Sequence, residues 1–85
     1  MVDVESVTEM IEEARRLIGL GENKRAADLL TIAAGETSDP LQARMILQLA
    51  EQGQERSGRF GRRRWTEAIR LARMRLEEPA AAGLE

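Results

Sequence analysis

Residues 62–77 place the strongest constraint on the fold, because they contain the only tryptophan and six of the thirteen basic side chains. The apolar side chains of this stretch recur every three or four residues, at Trp65, Ala68, Ile69, Ala72 and Leu76. This spacing predicts an amphipathic helix with one buried face, which the arginines are expected to surround. Other helices have to cover Trp65, because its large apolar surface is unfavourable in water.

The length and composition of the chain favour a single helical domain. Hydrophobic residues make up 42% of the 85 residues and aromatic residues only 2%, so aliphatic side chains and alanine dominate, which suits helix packing better than a β-sandwich. We therefore predict an all-α fold over residues 1–79 and a disordered tail over residues 80–85. Leu84 and Glu85 are left out of the fold argument, because such residues can derive from an expression vector.

The first half of the chain predicts a helical hairpin. Apolar residues at three-and-four spacing run from Val4 to Ile18, and Gly19 and Gly21 follow as helix-ending residues. A second helix is predicted over about residues 22–34. Because the connection between these helices is short, we expect them to pack antiparallel.

The second half predicts another hairpin with a longer connection. Asp39 is placed to cap a third helix that begins with Pro40 and covers about residues 39–52. This helix is apolar around more of its circumference than the others, so we expect it to lie between the first hairpin and the fourth helix. Residues 53–61 contain three glycines and predict a loop. The fourth helix is expected to end near Glu78-Pro79.

Small residues at defined places in the two hairpins resemble the tetratricopeptide repeat, a family built from helix–turn–helix units. In the first unit the likeness rests on Ala14, Leu17, Gly21, Ala26, Leu30 and Ala33, with Pro40 near the family's helix-ending proline. In the second unit it rests on Ala50 and on the segment from Trp65 to Ile69. Ala26 and Ala68 lie 42 positions apart, whereas the family repeats at about 34 residues, and Arg75 stands where a second small residue is expected.

This resemblance implies two antiparallel helical hairpins and a non-catalytic activity, the binding of a partner's peptide or helix in a concave groove. It also implies self-association as a homodimer, because two units are fewer than the roughly three that such arrays need for stability. An irregular four-helix bundle is the alternative fold that fits the same pattern.

The residue inventory argues against catalysis. The chain contains no histidine and no cysteine, so the commonest general base, the commonest metal ligand and any thiolate are missing. The neighbouring carboxylates, such as Glu12 with Glu13 and Glu77 with Glu78, lie on polar helix faces where no burial would separate their pKa values. We therefore predict that the protein is not an enzyme and has no cofactor and no metal site.

The charges are strongly polarised along the chain. Residues 1–53 carry a net charge of −5, residues 54–75 carry +6 and the last ten carry −3. The basic segment yields the candidate partner-binding residues, which are Arg56, Arg59, Phe60, Arg62, Arg63, Arg64 and Arg70. Three interpretations are open: pairing with the acidic first helix, an acidic protein partner, or nucleic acid bound by arginine with aromatic stacking nearby. Phe60 either anchors the predicted loop to the core or is exposed to a ligand.

Taken together, these patterns favour a non-catalytic protein–protein interaction module that binds a partner peptide or helix and self-associates. The alternative function is a nucleic-acid-binding or regulatory protein that uses residues 56–64, although the acidic pI of about 5.3 disfavours it. The acidic N-terminus and the short apolar runs predict neither a secretory signal nor a membrane span, and hence a cytoplasmic protein.

Overall fold

A computed structural model describes the backbone of residues 4–83 and the side chains of residues 6–58 and 61–77. Helix α1 is Val4–Leu20 and helix α2 is Asn23–Glu36. A further helical segment, Pro40–Gly83, is broken at Gly58, and we call its two parts α3 (residues 40–57) and α4 (residues 59–83). No strand occurs in this part of the chain. The prediction of an all-α fold with four helices in two antiparallel hairpins is confirmed.

The turn between α1 and α2 has the glycine ending that the sequence predicted. Gly21 adopts a left-handed φ of 83°, which a residue with a Cβ rarely adopts. The N–H of Gly21 donates to the carbonyl of Ile18 (3.1 Å) and the N–H of Glu22 to that of Leu17 (2.9 Å). These two bonds satisfy carbonyls that the end of a helix otherwise leaves without donors.

The connection between α2 and α3 also follows its prediction. The Asp39 carboxylate accepts a hydrogen bond from the backbone N–H of Leu41 at 2.9 Å, and Pro40 is the first helical residue. At this position the missing N–H of proline costs nothing. Asp39 therefore caps α3.

Two predicted boundaries in the second half are wrong. Residues 53–61 do not form a loop, because residues 53–57 continue α3, residues 59–61 begin α4 and Gly58 alone is non-helical (φ 70°, ψ −161°). The glycines allow close approach of α3 and α4 instead of marking a loop: a Cβ on Gly61 would lie 2.6 Å from the Cβ of Ser57. The fourth helix also continues past Glu78-Pro79 to Gly83, through the strong helix formers of residues 80–82. The disorder expected of residues 80–83 is therefore not observed, whereas residues 84–85 lie outside the described backbone and for them it stays a prediction.

One apolar core joins all four helices. Its largest fully buried side chains are Trp65, Ile11, Leu30 and Ile46, and alanines fill the spaces between them. As predicted, α3 contacts both the first hairpin and α4, but it does not separate them, because Arg75 of α4 donates directly to the carbonyls of Ala34 and Gly35 in α2. Gln42 of α3 donates to the Thr8 hydroxyl of α1 at 3.0 Å, and Ser57 of α3 accepts a hydrogen bond from Trp65 of α4.

A buried polar cluster at the start of α3 was not predicted from the sequence. The Thr37 hydroxyl donates to Oε1 of Gln42 at 2.7 Å and accepts from the backbone N–H of Asp39 at 3.2 Å. Thr37 and Gln42 are both buried, and the amide of Gln42 reaches Thr8 on its other side. The cluster ties α1 to the α2–α3 connection, and it fixes the register of the two hairpins because buried polar groups need partners.

Candidate partner-binding surface

Trp65 belongs to the core and not to a binding surface. Its side chain is fully buried, and its Nε1 donates to the Ser57 hydroxyl at 2.7 Å. That hydroxyl in turn donates to the carbonyl of Gly53 at 2.8 Å. The indole lies so close to Gly53 that a Cβ there would overlap the ring. Trp65 is therefore unavailable for stacking on a nucleic-acid base.

The predicted basic residues gather around the break between α3 and α4. The side chains of Arg56, Arg62, Arg63 and Arg64 are exposed, and none of them forms an ion pair with a described residue. The side chains of Arg59 and Phe60 lie outside the described residues, so the expected role of Phe60 stays a prediction. An open groove of about 440 Å³ lies beside this break and is lined by Gln54, Glu55, Gly58 and Arg62.

Arg70, the remaining candidate, is already bound within the molecule. Its guanidinium donates to both carboxylate oxygens of Glu67, at 2.5 and 3.2 Å. These hydrogen bonds hold the pKa of the Glu67 carboxyl below its usual range. Arg70 also contacts the sulfur of Met74 at 3.5 Å. It lines a shallow depression on the outer face of α4 with Thr66, Ile69, Arg73, Met74 and Glu77.

Pairing of the basic segment with the acidic first helix, one of the three interpretations that the sequence left open, does not occur among the described side chains. The ion pairs found there are Arg16–Glu13, Arg70–Glu67 and Arg73–Glu51. The first two join residues within one helix, and the third joins α4 to α3 at 3.4 Å. The described side chains of α1 therefore form no ion pair with Arg56, Arg62, Arg63 or Arg64.

An apolar groove runs between α1 and α2, on the outer side of the first hairpin. It has a volume of about 360 Å³ and is lined by Glu13, Leu17, Arg25, Asp28, Leu29 and Ile32. The floor is apolar, with Leu17 buried, Leu29 half-buried and the Ile32 side chain 51% exposed. A half-exposed isoleucine beside two leucines presents apolar surface that the fold itself leaves uncovered.

Charged residues form the rim of this groove. Arg16 binds Glu13 at 2.6 Å, and this hydrogen bond, together with the nearby charge of Arg25, lowers the pKa of the Glu13 carboxyl. Asp28 on the opposite rim forms no ion pair with the described side chains. Residues 4–36 carry seven acidic and four basic side chains, but the rim of the groove is of mixed charge, since Glu13 is paired with Arg16 and both Arg25 and Asp28 line the groove.

Reasoning from the sequence did not single out this groove. Leu17 and Leu29 fit the pattern of core positions, and only Ile32 lies outside the inward stripe of α2. A large apolar residue on an otherwise polar helix face was therefore the one available signal.

No helix of residues 4–83 combines the length and apolarity that crossing a bilayer requires. Among the described side chains, no three potential metal ligands lie together.

Comparison with protein-family models, with curated proteins and with solved structures finds no match to this chain. The resemblance to the tetratricopeptide repeat therefore stays a prediction from the sequence.

Proposed function

We propose that this protein is a non-catalytic interaction module that binds a basic amphipathic helix of a partner protein in the α1–α2 groove. The observation that carries the proposal is the apolar floor of Leu17, Leu29 and Ile32 between two antiparallel helices. A partner helix buries such a surface with apolar residues spaced three and four apart.

The charges around the groove define the partner further. Asp28 lies on the rim without an ion pair among the described residues, whereas the charge of Arg25 on the same rim acts on Glu13 and lowers the pKa of its carboxyl. The hairpin as a whole, residues 4–36, carries a net charge of −3. A helix with lysine or arginine beside its apolar stripe would place a cation opposite Asp28. Complementary charges of this kind raise the association rate and exclude partners of the wrong sign.

Two model peptides test this proposal. Both carry leucine at positions i, i+4, i+7 and i+11 of an 18-residue helix, with lysine flanking the stripe in one and glutamate in the other. The Kd of each peptide is measured by fluorescence anisotropy at low salt. We expect the Kd of the lysine peptide to be lower than that of the glutamate peptide by about tenfold or more. Equal affinity for both peptides, or no binding of either, would refute the proposal.

Two substitutions localise the binding. Ile32→Glu places a charge in the apolar floor and should raise the Kd of the lysine peptide at least about tenfold. Leu41→Glu is the matched control, because Leu41 is an exposed apolar residue on α3 that does not line the groove. It should leave the affinity within about twofold, as expected for a surface position away from the contact.

A second candidate function is the binding of nucleic acid by the exposed arginines at the α3–α4 break. The observation that favours it is that Arg56, Arg62, Arg63 and Arg64 form no ion pair with the described residues. The burial of Trp65 counts against it, because this indole is not accessible for stacking on a base. A labelled single-stranded oligonucleotide in the same assay distinguishes the two: binding that is lost in Arg62→Glu and at high salt would support this second candidate.

A further inference from the structure

The connection between α3 and α4 consists of one non-helical residue. Gly58 has φ 70° and ψ −161°, a conformation that is accessible essentially to glycine alone. The residues on both sides of it are helical. A Cβ at Gly58 would meet no atom within 4 Å, so the backbone conformation is the only obstacle to a larger residue there. If this single residue became helical, residues 40–83 would form one continuous helix.

Helix α4 has to pack against other helices, because its apolar face would otherwise be exposed to water. It contributes Trp65, Ala68, Ile69 and Ala72 to the buried core. It also reaches α2 through Arg75, whose guanidinium donates to the carbonyls of Ala34 at 3.1 Å and Gly35 at 2.6 Å. The core that α4 joins contains residues of α1, α2 and α3, and a second copy of the chain presents the same residues.

We propose that two copies of this chain exchange α4, with Gly58 as the hinge. In the exchanged dimer each chain has a continuous helix over residues 40–83, and its α4 packs on α2 and α3 of the other copy. The exchange is reciprocal, so the dimer closes with twofold symmetry and no interface is left open. A one-residue hinge favours exchange, because no neighbouring residue shares the chain reversal and the hairpin depends on one conformation of Gly58.

The hairpin form and the form with a continuous helix differ clearly in length. A continuous helix of 44 residues is about 66 Å long, whereas the longest dimension of the hairpin form is 41 Å. A chain with the continuous helix cannot fold α4 onto its own α3. The α1–α2 groove takes no part in the exchange, so this inference does not depend on the proposed function.

The substitution Gly58→Ala tests the hinge. Alanine disfavours the left-handed conformation of the hairpin and favours the continuous helix. Size-exclusion chromatography with light scattering should show a dimer for Gly58→Ala at concentrations where the unsubstituted protein is a monomer. Gly19→Ala is the matched control and should remain a monomer, because Gly19 lies within α1 and a Cβ there meets no atom.

A distance measurement distinguishes exchange from side-by-side association. The chain contains no cysteine, so spin labels at Arg44→Cys and Glu77→Cys report one intrachain distance. The two labels lie at the same end of the hairpin but about 50 Å apart along a continuous helix. We expect the long distance in the Gly58→Ala dimer diluted with unlabelled chain. A monomer, or a dimer that keeps the short distance, would overturn the inference.

If Gly58→Ala does not fold, the unsubstituted chain provides a second test. Refolding at about millimolar concentration should populate the long distance, and inserting Gly-Ser-Gly after Gly58 should abolish that population by relaxing the hinge. If the refolded chain shows only the short distance, the exchange does not occur.

Discussion

At the scale of single residues, the contact between Gly53 and Trp65 gives a direct prediction. A Cβ at residue 53 would lie 2.7 Å from Cζ3 of the indole and closer still to two other ring atoms, and the buried ring has no room to move. Gly53→Ala should therefore lower the free energy of unfolding by about 1–3 kcal/mol, although alanine is the better helix former. Thermal unfolding followed by circular dichroism would show this as a Tm lower by about 4–8 °C per kcal/mol.

Gly35→Ala is the control for this change. A Cβ at Gly35 meets no atom within 4 Å, and the residue is helical, so alanine should raise stability by about 0.5–1 kcal/mol. If Gly53→Ala and Gly35→Ala changed the free energy of unfolding equally, Trp65 would not pack as closely against α3 as described.

The buried amide of Gln42 gives a second prediction at this scale. Gln42→Leu replaces the amide by an apolar group and leaves the Thr37 hydroxyl without its acceptor, which should cost about 1–3 kcal/mol in urea unfolding. Gln48→Leu, on the exposed side of the same helix, should change stability by less than about 0.5 kcal/mol. A tolerated Gln42→Leu would argue against the cluster that joins α1 to the α2–α3 connection.

At the scale of helices, Arg75 of α4 stabilises the carboxyl end of α2. Its two hydrogen bonds go to carbonyls that would otherwise lack donors, and its positive charge opposes the negative end of the helix dipole. Arg75→Met should destabilise the fold by about 1–2 kcal/mol and accelerate amide hydrogen exchange in the last turn of α2. Arg73→Met should have less than about half that effect, because Arg73 makes only a long, exposed ion pair.

Within α4, the ion pair of Glu67 with Arg70 predicts a pH dependence. The folded pKa of Glu67 is lowered, chiefly by the hydrogen bond from Arg70, so the folded state favours the ionised carboxyl. The pair therefore stabilises the fold fully above the unfolded pKa of Glu67, and this contribution is lost as the pH falls through the lower folded pKa. Carboxyl-carbon NMR should show the pKa of Glu67 rising toward its ordinary value in Arg70→Met. An unchanged pKa would contradict the pairing.

At the scale of the whole molecule, the four helices and their pairing could be predicted because apolar spacing and helix-ending residues are local signals. Gly21 and Asp39 are examples, since each acts within a few residues of its own position. The helical state of Gly53 and Gly61 could not be predicted, because it depends on contacts between α3 and α4 that only the folded chain brings together. The α1–α2 groove was missed for the same reason: Leu17 and Leu29 look like core residues until the neighbouring helices are placed.

The central functional claim is that the α1–α2 groove receives a partner helix. The most direct test is a two-dimensional amide NMR titration of the labelled protein with the lysine-flanked amphipathic peptide. If the groove binds the peptide, the chemical-shift changes will be concentrated around Leu17, Asp28 and Ile32, on both helices of the first hairpin. Changes confined to residues 56–64 would contradict it, and so would the absence of changes in the groove.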